Sequence, residues 1–177
     1  VNAKHLPVES KQTPPTVTVS AKKSMRASVE ENDVAAVTLQ LRTNPIDTVL
    51  YSTGGIALHG AALTGHVAMI NLLLFWGADV NALTTGGSSA LHYAARKGHK
   101  AAARLLLAEG VDLSHVDVRG STAADLAAGR SSTLAILEDW GRCERAAALH
   151  NAGNWREAAV VYKEAVVLGS AKATCAH

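Results

Sequence analysis

The chain has 177 residues, a formal net charge of +2 and 48% hydrophobic residues. That balance suits one globular domain, or one with a small appendage, and excludes a wholly disordered chain. It gives too little excess charge to argue for nucleic acid or an anionic membrane without a local basic patch.

The two cysteines, Cys143 and Cys175, lie far apart in sequence and do not make a disulfide framework. No Asn opens an N-x-Ser/Thr sequon. Both observations point to a reducing compartment, cytoplasmic or nuclear. The longest apolar run, "MINLLLFW", is interrupted by Asn71 and falls well short of the ~20 residues that span a membrane. The first residue is Val rather than Met, as expected of a fragment or a processed form.

In chain order, residues 1–19 carry three of the four prolines among Lys, Ser, Thr and Glu, with no helical period. A disordered tail or spacer is expected there. The chain then repeats itself. "IALHGAALTGHVAMINLLLFWGADVN" is followed by "SALHYAARKGHKAAARLLLAEGVDLS", with Leu58 and Leu91, His59 and His92, Gly65 and Gly98, and Gly77 and Gly110 each 33 residues apart. A further step of the same length reaches "TAADLAAGRSS", and a step back reaches "SMRASVEENDVAAVTLQLRTNPID". A fixed period of this length signals a solenoid of stacked units.

Within one unit, Ala57–Thr64 reads as a short helix closed by Gly65, which can take the positive φ that a helix terminus needs. Val67–Trp76 reads as a second helix, with Val67, Ile70, Leu73 and Leu74 at helical spacing and Gly77 as its stop. Ser89 and Thr122 are expected to cap the helices they precede, whereas Ile56 cannot. Lys100 takes Val67's place and is expected to be partly exposed. Gln40 and Arg42, where the second unit has Leu73 and Phe75, give the first unit the polar outer face of a cap. The fourth unit is expected to be about two residues short and to end at Gly141.

The "ALHxAAxxGH" pattern at this period resembles the ankyrin repeat family. The resemblance covers roughly residues 20–141, as four repeats at 20–48, 49–81, 82–114 and 115–141. It implies an all-α solenoid of paired antiparallel helices with β-turn fingers between repeats. The segment "AGNWREAAVVYKEAVVLG" differs, with Ala158, Tyr162 and Ala165 forming a small–aromatic–small face. It resembles the second half of a tetratricopeptide repeat, which implies a C-terminal helical hairpin over 142–177. The rival reading there is a shortened fifth ankyrin repeat.

Eight histidines invite a metal or catalytic reading. His59, His92, His66 and His99 instead fall in the Leu-His and Gly-His motifs, where the resemblance implies hydrogen bonds between turns and helices. Equivalent residues in neighbouring repeats stand a helix spacing of roughly 8–10 Å apart, too far to share a zinc ion. No nucleophile elbow, P-loop or dinucleotide-binding glycine motif occurs, and the carboxylates are scattered. No enzyme activity, no cofactor and no metal are expected.

The resemblance implies contacts with a partner protein through the finger tips, the exposed side of the first helix and the position before the glycine that ends the second. In this sequence those places include Gly60, Leu63, Thr64 and Trp76, then Tyr93, Arg96 and Lys97, then Arg119, Leu126 and Arg130. Aromatic and arginine anchors are typical hot-spot chemistry, and the cations suit an acidic partner, with an apolar segment as the alternative. Asn81, in "GADVN", resembles ankyrin asparagines that asparaginyl hydroxylases modify; the plainer reading is that it shapes the turn. The leading expectation is a non-catalytic scaffold or adaptor. One alternative is an ankyrin–tetratricopeptide co-chaperone or targeting factor. Cys143 and Ala147, at the places of the clamp Lys and Asn, argue against this hairpin as the clamp. The other alternative is nucleic-acid or nucleotide binding by Arg96, Lys97, Arg119 and Arg130.

Overall fold

The computed structural model describes residues 24–48 and 50–167, the last three by backbone alone. The expected tail at 1–19, Cys175 and the final residues lie outside that part. Nine helices make up the described residues: α1 (Met25–Glu30), α2 (Val34–Leu41), α3 (Ala57–Thr64), α4 (Val67–Phe75), α5 (Ala90–Lys97), α6 (Lys100–Ala108), α7 (Ala123–Leu126), α8 (Ser131–Asn151) and α9 (Trp155–Val167). Among these residues there is no β-strand, only an isolated bridge between Val116 and Thr122 in the last finger.

The helices form two rows. α1, α3, α5 and α7 pack on one another in order as the inner row, and α2, α4, α6 and α8 follow as the outer row. Between the rows, Leu58 and Leu91 of the inner helices meet Met69, Ile70, Leu73 and Leu106 of the outer ones, all fully buried. Each such side chain contributes roughly 1.5–3 kcal/mol when buried. Met69 stands in this core beside the Ile70 and Leu73 read from helical spacing. Val67 and Leu74 are only half-buried, and Lys100 is exposed, as its place in the repeat predicts. Ala61, Ala62, Ala94 and Ala95 let the inner helices approach closely.

The histidines set the tautomers that join the repeats. His59 Nδ1 accepts the Ile56 backbone N–H at 3.2 Å, so its Nε2 carries the proton and reaches the Ala82 carbonyl at 3.0 Å. His92 repeats this on the Ser89 N–H (3.3 Å) and the Ser121 carbonyl (3.2 Å). Ile56 therefore needs no capping side chain, because His59 holds the start of α3. Ser89 does not cap α5 as expected; its Oγ lies 2.9 Å from the same His92 nitrogen. Thr122 does cap, accepting from the Asp125 N–H at 3.2 Å.

A second series of bonds fastens each inner helix to the next repeat. His66 Nε2 reaches the Glu30 carbonyl and His99 Nε2 the Leu63 carbonyl, both at 3.0 Å. The His99 ring lies where a Cβ at Gly65 would stand, so position 65 needs glycine for space as well as for its φ of 76°. Consecutive fingers are linked too, Thr85 N–H to the Thr53 carbonyl at 2.9 Å and Val118 N–H to the Gly86 carbonyl at 3.1 Å.

The fourth repeat departs from the expectation in two ways. Ser89 to Thr122 keeps the 33-residue step, yet Gly98 to Gly129 is 31, and α7 has four residues where α5 has eight. The missing residues therefore come from the inner helix, not from the end of the repeat. Gly141 does not stop the outer helix. It lies inside α8, and a Cβ there would meet Leu113 Cδ2 at 3.3 Å. The boundary expected between residues 141 and 142 thus falls within one continuous helix, along which Arg142 pairs with Asp139. Beyond it, α8 turns at Gly153 (φ 78°) into α9, and Ala146 and Ala158 are buried between the two. Cys143 is buried in α8.

Candidate partner-binding face

The fingers and the exposed side of the inner helices enclose two adjoining grooves. The larger, of about 380 Å³, runs between the first and third repeats and is lined by Arg26, Tyr51, His59, Gly60, Leu63, Tyr93 and Arg96 among others. The smaller, of about 210 Å³, continues towards the fourth repeat past Ser88, His92, Asp117, Arg119 and Leu126. Tyr93 and Arg96 belong to both. They form the ridge between them, one helical turn apart on α5, with the Arg96 guanidinium 4.9 Å from the centre of the Tyr93 ring.

A second arginine–tyrosine pair forms the far wall of the larger groove. The Arg26 guanidinium sits 4.8 Å from the centre of the Tyr51 ring, and its Nε donates to Glu30 Oε1 at 2.9 Å. That hydrogen bond, with the negative charge of Glu30, raises the Arg26 pKa. Burial raises the Tyr51 phenol above its ordinary value, and Glu30 adds to the effect.

Tyr51 comes from the finger, while Tyr93 comes from the inner helix. Tyr93 stands 33 residues after Gly60, and Tyr51 stands 33 before Thr84. In the third repeat the finger residue is small: Thr84 Oγ1 accepts the Ser88 N–H at 3.2 Å and stabilises the turn. In the fourth, Asp117 Oδ1 does the same for Ser121 (3.0 Å) and Arg119 (2.9 Å). Tyr51 cannot fold back onto the turn in that way, and its ring lies across α3, over Gly60. Gly60 is accordingly buried, not the exposed contact expected of it.

The other nine residues expected at the partner face divide. Leu63, Tyr93, Arg96, Arg119 and Leu126 line the grooves; Trp76, Thr64, Lys97 and Arg130 line neither. Trp76 ends the outer helix α4, 38% exposed, beside Phe75 at 86%. Neither of these aromatics is core, and neither joins Tyr93. Thr64 turns its hydroxyl back to the Gly60 carbonyl at 3.0 Å. Arg130 Nε donates to the Arg96 carbonyl at 2.7 Å, and its side chain fills the place of a Cβ at Gly98. It does for the fourth repeat what His99 does for the third. Asn81 accepts the Asp112 N–H on its Oδ1 at 2.8 Å, so it ties one finger to the next in addition to any other role.

Arg26 and Tyr51 were not among the expected site residues. Tyr51 had one usable signal: the glycine at 60, where the next repeats carry Tyr93 and Leu126, leaves room for a side chain from elsewhere. Among the described residues no group of His, Cys, Asp or Glu is placed to hold a metal, and no helix is long and apolar enough to cross a membrane. Burial lowers the pKa of both His59 and His92, which keeps them neutral donors to the fingers.

Paired helices in two rows, joined by hydrogen-bonded fingers and open along the inner row, define a helical-repeat solenoid built to present a surface. The family model for ankyrin repeats (3 copies) matches residues 25–117 and 58–143, and the chain belongs to that family. No curated protein matches the chain. Ankyrin repeats are in general protein–protein interaction modules.

Proposed function

We propose that this chain is a non-catalytic adaptor that binds a partner protein along the two grooves of its inner face. The observation that carries the reading is the ridge of Tyr93 and Arg96 between the grooves, with Leu63 on one side and Leu126 on the other. Aromatic and arginine side chains at the centre of a concave patch, flanked by apolar walls, are where binding energy concentrates. The ankyrin stack over residues 20–141 would supply this surface. The hairpin over 142–177, with its tetratricopeptide resemblance, would close the end of the stack.

The test is affinity purification from the native source with the wild-type chain and with Tyr93→Ala. The reading expects a partner held by the first and lost by the second, while circular dichroism and melting temperature stay unchanged. Identical captures by the two chains would refute the assignment of the face.

A further inference from the structure

The grooves are unbalanced in charge. Among the described residues, Arg26, Arg96 and Arg119 line them against the single carboxylate of Asp117, whose Oδ1 already accepts two backbone N–H groups. The three cations are not equivalent. Arg26 shares its charge with Glu30. Arg119 stands at a finger tip beside Asp117. Arg96 has no carboxylate within ion-pair distance among the described residues, and it faces both grooves. Its backbone is also fixed, because its carbonyl accepts from Arg130 at 2.7 Å.

Stacking decides what Arg96 can do with that charge. A guanidinium held over a tyrosine ring, as Arg96 is at 4.9 Å from the Tyr93 centroid, still has N–H groups free of the ring, and a guanidinium fork matches a carboxylate. Because the ring already holds it, little side-chain entropy is lost on binding. Arg26 on Tyr51 repeats the arrangement across the larger groove. Apolar walls at Leu63 and Leu126 leave room for aliphatic side chains between charged ones.

We propose that the two grooves hold an extended peptide segment of a partner protein rich in Asp and Glu, interleaved with apolar residues, and that Arg96 on the ridge selects it. The proposal rests on the reading of this face as the partner-binding surface and adds the chemistry of the partner.

The experiment uses the full chain and three labelled peptides: repeated Asp-Leu-Glu, the Asn-Leu-Gln counterpart, and Lys-Leu-Lys. Binding is followed by fluorescence anisotropy. The acidic peptide should bind about tenfold or more tighter than the amide peptide, and the Lys peptide not at all. The preference should shrink between about 50 and about 300 mM salt, as the Debye length contracts. Arg96→Gln should reduce the acidic peptide to the amide level, and Arg26→Gln should cost less, because Glu30 already offsets that charge.

Equal binding of the acidic and amide peptides, abolished in both by Tyr93→Ala, would overturn the selection for carboxylates and leave the face intact. Acidic-peptide binding insensitive to both Arg96→Gln and Tyr93→Ala would overturn the face as well. Absence of binding by every peptide, or tighter binding of a labelled single-stranded RNA, would also overturn the proposal.

Discussion

The Tyr51 side chain occupies the space that a Cβ at position 60 would need, so Tyr51 and Gly60 are a matched pair. Glycine inside a helix ordinarily costs about 1 kcal/mol against alanine. Here the expected gain from Gly60→Ala is opposed by displacement of the Tyr51 ring, and overpacking of that kind costs about 1–3 kcal/mol. Gly60→Ala should therefore destabilise the wild-type chain and stabilise the Tyr51→Ala variant. A double-mutant cycle from urea unfolding should give a coupling of about 1 kcal/mol or more. Additive effects would show that the two residues do not share that space.

Arg130→Ala should lower stability by about 1 kcal/mol, the scale of one hydrogen bond, through loss of its bond to the Arg96 carbonyl. Arg130→His tests the equivalence with His99. If the shorter imidazole reaches the same carbonyl, stability should recover in part. A binding-only role for Arg130 would leave the urea midpoint of Arg130→Ala unchanged.

How far the sequence carries this molecule depends on where each signal resides. The period, the glycines at 65 and 98 and the Leu-His pair are local, and each meets its expected place because backbone geometry and hydrogen bonding inside one repeat decide it. Five groove residues were legible because their places in the repeat are fixed. Tyr51 was not, since its place depends on a residue nine positions away being glycine and on Arg26 from the preceding repeat. The structural bond of Arg130 to the Arg96 carbonyl was not legible, because the deletion in α7 hides its register with His99. Gly141 was misread because a glycine can end a helix or make room inside one, and only the contact with Leu113 tells which.

Acid should weaken the stack through His59 and His92. Burial lowers both from the ordinary value of 6.5, so between that value and their folded values the unfolded chain binds more protons. Stability from these groups is complete above about pH 6.5 and is lost as pH falls through the folded values. Each adds at most about 1.4 kcal/mol per pH unit to the slope. Asp112, Asp117 and Asp125 do not mask the effect. Hydrogen bonds from Ser114, Ser121 and Thr122 respectively hold their carboxyls below the usual 3.8, so they stay ionised across that window. Urea midpoints should be flat from pH 8 to pH 7 and fall by pH 5. A midpoint that holds or rises on acidification would contradict the neutral-donor assignment of the two rings.

The continuous helix α8 predicts opposite outcomes for two glycines. Gly141 lies in the helix interior, so Gly141→Ala gains helix propensity of about 1 kcal/mol. Among the described residues the one close neighbour of the new Cβ is the end of the Leu113 side chain at 3.3 Å, which can rotate aside at small cost. A net gain of about 0.5 kcal/mol is expected. Gly153 turns the chain between α8 and α9 at φ 78°, where any Cβ is strained, so Gly153→Ala should cost about 1 kcal/mol. If Gly141 instead ended an ankyrin helix and a separate hairpin followed it, both alanines would destabilise. Thermal melts of the two variants separate these structures, since a helix stop and a helix interior respond to the same methyl group with opposite signs.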